Sequence, residues 1–140
     1  MTEIALLHAL GAWKAEAAIR EAPAPAAYQP IAVRPRPAAG LCAVASRSHA
    51  DAETEAFLER LDVVERRSAG SSLKFCLVAE AAADVYPRFG PTMEWDTAAG
   101  HAVLAAAGGA VTRPDGTPFR YGKADVGFRN GGFVAWGARD

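Results

Sequence analysis

The chain has little of what usually betrays a function class. Two cysteines, Cys42 and Cys76, stand singly inside apolar runs, with no Cys-x-x-Cys pair and no Cys/His cluster. That spacing offers neither a disulfide framework nor a zinc site, and the pair reads as two buried thiols of a reducing compartment. No apolar run approaches the roughly 20 residues that cross a bilayer, so no integral membrane contact is expected. The opening MTEIALLHALGAW carries an acidic residue at position 3 and only a short apolar stretch, unlike a secretory signal, and the expected location is cytoplasmic. Charge of one sign is also missing: 15 basic residues face 16 acidic ones for a formal net of −1. A broad electrostatic footprint for nucleic acid or anionic membrane is therefore excluded, and any bound anion has to be held by local geometry. Large apolar side chains are scarce too. The hydrophobic fraction is 51%, but much of it is alanine, so the core depends on a modest set of Leu, Val, Phe and Trp.

What is present has an order. Residues 1 to 21 mix apolar and charged positions without a clean period, and Trp13 to Ile19 reads as a strand or a helical turn. Residues 22 to 40 contain five prolines, which forbid a regular helix; they read as an exposed connection with a short edge strand over Gln29 to Arg34. From Leu41 the texture becomes alternating. Leu41 to Ala45 is an apolar run suited to a buried strand. Asp51 to Leu61 is an amphipathic helix that Ser48 or Asp51 would cap. Asp62 to Glu65 is a second strand, and Gly70-Ser71-Ser72 opens a second helix with Leu73, Cys76, Leu77 and Glu80 at helical spacing. Ala83 to Tyr86 is a third strand. Asp96 to Ala107 is an alanine-rich helix stopped by Gly108-Gly109. Ala110 to Arg113 and Phe119 to Tyr121 flank a hairpin turn at Pro114 to Thr117, and Gly132 to Gly137 is a last strand. Strands alternating with helices predict an α/β fold, a mostly parallel sheet flanked by helices. The expected division is a connecting segment over 1–40 and an α/β substrate-binding domain over 41–140.

In an open α/β sheet, ligands gather where strands hand over to helices. Three such loops carry polar groups: Ser46-Arg47-Ser48-His49; Gly70-Ser71-Ser72 followed by Lys74; and Tyr86 to Thr92, which runs into Glu94-Trp95-Asp96-Thr97. The second has the parts of an anion site: a glycine that admits close approach, two hydroxyls, helix-start N–H groups and a lysine about one turn in. A serine N-cap on a surface helix would look the same. Arg88, held between Pro87 and a Gly-Pro turn, suits bidentate phosphate binding, or is a solvated loop arginine. Asp96 suits a helix cap, or a metal ligand that also faces substrate; one carboxylate does not hold Mg²⁺ for catalysis by itself. His49 is placed for a base-stacking or ribose contact, or for packing.

Residues 70 to 109, GSSLKFCLVAEAAADVYPRFGPTMEWDTAAGHAVLAAAGG, resemble the carboxy-terminal half of the inositol-monophosphatase-like phosphatases, in the bacterial 3′(2′),5′-bisphosphate nucleotidase branch. SRSHAD at 46–51, YGK at 121–123 and NGGFVAWG at 130–137 are similar in the same order. The resemblance implies hydrolysis of phosphate monoesters by Mg²⁺-activated water, here removal of the 3′-phosphate of adenosine 3′,5′-bisphosphate. It implies that Asp96 ligates metal and touches substrate, that Ser71, Lys74 and Arg88 bind the nucleotide with Ser72 as a lesser contact, that Gly70 supplies backbone room, and that His49 lies near the base.

The family's first half carries a paired-glutamate motif and an Asp-Pro-x-Asp-Gly-Thr motif that supply most metal ligands, and neither is present. Pro114-Asp115-Gly116-Thr117 is only superficially like the second and reads as a turn. The expectation is a catalytically incomplete half of a nucleotidase, whose Mg²⁺ belongs to the complete enzyme. The alternatives are a non-catalytic nucleotide- or phosphate-binding module, a half-subunit completed by a partner chain or a second copy, and, within the family, an inositol-monophosphatase-like sugar phosphatase.

Overall fold

The computed structural model describes residues 2–8, 11–17, 24–45, 51–70 and 72–138. Its centre is a five-stranded sheet in the order β5-β4-β6-β10-β8, built from β4 (Leu41–Ala45), β5 (Val63–Ser68), β6 (Val85–Arg88), β8 (Ala110–Thr112) and β10 (Phe133–Trp136). β4 runs parallel to both β5 and β6, while β10 is antiparallel to both β6 and β8. Four strands thus point one way and β10 alone runs against them, so the expected α/β sheet is present with one reversed strand.

The pleat sorts the side chains. Leu41, Ala43, Val85 and Val134 face α1 (Ala52–Leu58) and pack with its Leu58 and Phe57. Cys42, Val44, Tyr86, Phe133 and Ala135 face the other way, into the larger cluster that holds Phe75 and Val78 of α2 (Leu73–Ala79) and Val103 and Leu104 of α3 (Glu94–Ala106). Phe133 stacks on Phe75 at 5.5 Å and meets Tyr86 edge-on at 5.4 Å, so three rings supply the bulk that the many alanines lack. β5 is the sheet edge, and its exposed Glu65, Arg66 and Arg67 make it a poor template for further pairing.

A second, three-stranded antiparallel sheet comprises β1 (Thr2–His8), β2 (Gly11–Ala17) and β3 (Gln29–Ile31). It packs against α3, and Ala12 enters the larger core cluster. The proline-rich segment that follows is fastened down. Val33 N–H donates to the Ala107 carbonyl at 3.0 Å, and Arg34 makes a two-point contact with Asp84 at 2.8 and 2.7 Å.

Several boundaries differ from expectation. Leu73 is exposed and the buried side of α2 is Lys74, Phe75, Val78 and Ala79, because the helix faces the aromatic cluster and not the stripe through Leu73, Cys76 and Leu77. Cys42 is buried, but Cys76 on that outer side is only half-buried. The third strand begins two residues later than expected, and α3 begins at Glu94. The turn at Pro114–Thr117 forms, with Gly116 N–H donating to Arg113 and the Asp115 carboxylate accepting from Thr117. Its second arm is no strand; a single bridge joins Thr112 to Pro118.

Asp84 gives the fold a pH dependence. Burial alone would raise its carboxyl, but the Arg34 guanidinium and the Cys42 N–H (2.7 Å) outweigh this and hold it below the ordinary aspartate range. A carboxyl depressed in the folded state stabilises above its unfolded pKa, and that contribution is lost as pH falls through the folded value. Denaturant midpoints are therefore expected to drop below the ordinary aspartate range, and Asp84→Asn is expected to flatten that acid limb. An unchanged acid limb in the variant would refute this assignment.

Candidate phosphate-binding site

Because β4, β5 and β6 are parallel, their carboxyl ends, Ala45, Ser68 and Arg88, lie along one edge of the sheet. The helices that follow β5 and β6 start from that edge. Gly100 of α3 lies against Phe75 of α2, and Asp96 sits one turn before Gly100 on the same helix face. The second and third sequence-predicted loops therefore leave from one edge of the sheet. Ser46 to Ala50, including His49, and Ser71 lie outside the described residues.

Two cations stand at this edge. Lys74 is only 3% exposed, and its ammonium lies over the Tyr86 ring at 5.1 Å. Burial pushes its pKa down, and the neighbouring Arg88 guanidinium pushes it further the same way. Arg88 ends β6, and its Nε is buried with no hydrogen-bond partner among the described residues. Gly90 lies between the two side chains: a Cβ there would make ordinary contact with Arg88 Nε at 3.5 Å and Asp51 Oδ2 at 3.6 Å. Asp51 caps α1 by accepting from Thr54 N–H at 2.6 Å, which selects it over Ser48 among the expected caps. Burial opposes its charge, but the N–H groups of Thr54 and Gly90 together hold the carboxyl below its usual range, so Asp51 also links the start of α1 to the third loop.

Ser72 is exposed and its hydroxyl makes no capping hydrogen bond, so the serine-cap reading of that residue does not hold. A side chain on Gly70 would meet nothing within 4 Å; the protein's own packing does not demand glycine there. Asp96 is exposed at the third position of α3, and its Oδ2 accepts from Met93 N–H at 2.8 Å, closing the helix start. Among the described residues no three His, Cys, Asp or Glu side chains gather as a metal cluster. Asp96 would contribute one carboxylate to Mg²⁺, and the described residues do not complete such a site.

The residue that sequence reasoning missed is Glu94. It is buried, its carboxylate accepts from the N–H groups of Gly122 (3.0 Å) and Lys123 (3.1 Å), and Lys123 Nζ lies 3.1 Å away. Burial alone would raise its pKa, but these donors hold it low. The partners are about 28 residues downstream, so no local pattern points to them.

An α/β sheet thus carries two cations and a helix-start carboxylate along one carboxyl edge. The inositol monophosphatase family model matches residues 8–136, and the chain belongs to that family. It is 48% identical over 122 residues to the 3′(2′),5′-bisphosphate nucleotidase CysQ of Escherichia coli (strain K12), a match that takes in 87% of this chain and 45% of that protein. It is 65% identical over 74 residues, 50% of this chain and 78% of the relative, to an uncharacterized protein of the pss 5′ region in Rhizobium leguminosarum bv. phaseoli. The crystal structure of CysQ from Bacteroides thetaiotaomicron superposes with a TM-score of 0.81 at 38% identity, over 99% of this chain and 55% of that one. The chain spans about half the length of the nucleotidases it matches. Among the described residues, no helix is long and apolar enough to cross a membrane.

Proposed function

We propose that this chain carries the nucleotide-binding half of a 3′(2′),5′-bisphosphate nucleotidase site. Lys74 and Arg88 hold the phosphates, Ser72 adds a hydroxyl, and Asp96 faces substrate and metal; Ser71 and His49 complete the nucleotide contacts. The observation that carries this reading is the buried Arg88 Nε at the end of β6, which has no hydrogen-bond partner among the described residues. A buried guanidinium N–H without an acceptor is costly, and a phosphate oxygen would offset that cost. The similarity to the nucleotidases named above supports a bisphosphorylated nucleoside over a sugar phosphate.

Mg²⁺ would supply the activated water in a complete site of this kind. With Asp96 as its one contribution, this chain binds nucleotide without turning it over by itself. The remaining carboxylates would come from the part of the family's length that the chain does not span, whether in the same polypeptide or in a partner. Calorimetric titration with adenosine 3′,5′-bisphosphate tests the reading. Saturable one-site binding is expected, and weaker binding of inositol monophosphate. No heat of binding, or preference for the sugar phosphate, would overturn it.

A further inference from the structure

Asp96 is exposed and, among the described residues, accepts only the local bond from Met93, so its direction is set by the turn that carries it. That turn is held from outside the helix. Glu94 N–H donates to the Phe128 carbonyl at 2.9 Å, while the Glu94 carboxylate accepts from Gly122 and Lys123. β7 (Thr92–Met93) pairs with β9 (Arg129–Asn130), and Asn130 Nδ2 donates to Thr92 at 3.1 Å and to Thr97 at 3.2 Å. Lys123 Nζ ties the halves together by reaching both Glu94 and Asn130. Residues 92, 94 and 97, on both sides of Asp96, are therefore fastened to the segment over 122–130.

That segment carries backbone strain. Phe128 adopts φ 60°, a left-handed conformation that costs a residue with a side chain on the order of 1 kcal/mol. It is the conformation in which the Phe128 carbonyl meets the first N–H of α3. Its ring lies against Trp95 at 6.3 Å, yet both rings remain largely exposed, so burial of these rings gives little back for the strain.

We propose that Glu94 is a positioning residue for Asp96: its carboxylate, neutralised by Lys123, clamps the 122–130 segment onto the first turn of α3 and fixes where the Asp96 carboxylate points. The proposal rests on the reading of Asp96 as a substrate- and metal-facing group. Glu94→Gln keeps the shape and removes the charge, and two measurements test it. In the ligand-free chain, Met93 N–H exchange is expected to rise about tenfold while the Val44 and Val134 amides keep their protection, as local rather than global opening requires. In calorimetry with adenosine 3′,5′-bisphosphate and Mg²⁺, Glu94→Gln is expected to weaken binding about tenfold, and the double variant with Asp96→Asn to bind as Asp96→Asn alone does. A merely structural role would make the two losses additive, and additive losses or unchanged Met93 exchange would overturn the proposal. If the wild-type chain binds no nucleotide, the reading of the site falls, and Met93 exchange alone then decides whether the clamp exists.

Discussion

Arg88→Ala is expected to lower the affinity for adenosine 3′,5′-bisphosphate about a hundredfold, the loss of a charge-assisted bidentate contact worth ~3 kcal/mol. The same change is expected to leave the fold as stable or slightly more so. Its Nε is buried without a partner among the described residues, and its charge disfavours the Lys74 ammonium, so removal relieves two unfavourable terms. Opposite signs for binding and stability mark a group kept for a ligand, since a residue kept for packing loses both together. Calorimetry and denaturant unfolding of the one variant measure the two signs. A loss of stability with unchanged affinity would return Arg88 to a structural role.

Gly100→Val is expected to destabilise the chain by ~3 kcal/mol or more, since overpacking a filled core alone costs ~1–3 kcal/mol and valine adds branching. A Cβ at this position would lie 2.5, 2.7 and 2.9 Å from three carbons of Phe75. Phe75 is 1% exposed, stacked on Phe133 at 5.5 Å and set edge-on to Tyr86 at 5.2 Å, so it has nowhere to retreat. Even Gly100→Ala is expected to destabilise, although alanine in place of a helical glycine gains ~1 kcal/mol by propensity. Denaturant midpoints decide the sign, and a stabilised alanine variant would show that α2 and α3 are not in the close contact described. The contact matters for the site because Asp96 stands one turn above Gly100, and α2 carries Lys74.

How much of this was legible depended on the range of the interaction that decides each feature. β4 announces itself as LCAVA between a glycine and a serine, and its bounds are as expected, because a strand buried on both faces needs only a local apolar run. The helix ending at Gly108-Gly109 is equally local. The expected stripe of α2 ran through Leu73, Cys76 and Leu77, whereas Lys74 is buried against Tyr86, and only the tertiary placement of that ring shows it. The hairpin of β1 and β2 escaped because its alanines and charges carry no period-2 contrast. It is defined by pairing, from Thr2 with Ala17 to His8 with Gly11, and by packing on α3. At the site, Lys74, Arg88 and Asp96 could be picked out by type and by the loops they follow. Glu94 could not, since its partners Gly122 and Lys123 reach it only after the chain has passed through β8. Family resemblance, and not local pattern, was what grouped the anion loops into one expected site.

Release of phosphate from adenosine 3′,5′-bisphosphate in the presence of Mg²⁺, followed beside a calorimetric titration of the same sample, is the decisive measurement for the proposed half-site. Saturable nucleotide binding through Lys74 and Arg88 is expected with no release above background, since the proposal gives this chain one metal-facing carboxylate, Asp96. Robust turnover by this chain alone would contradict it.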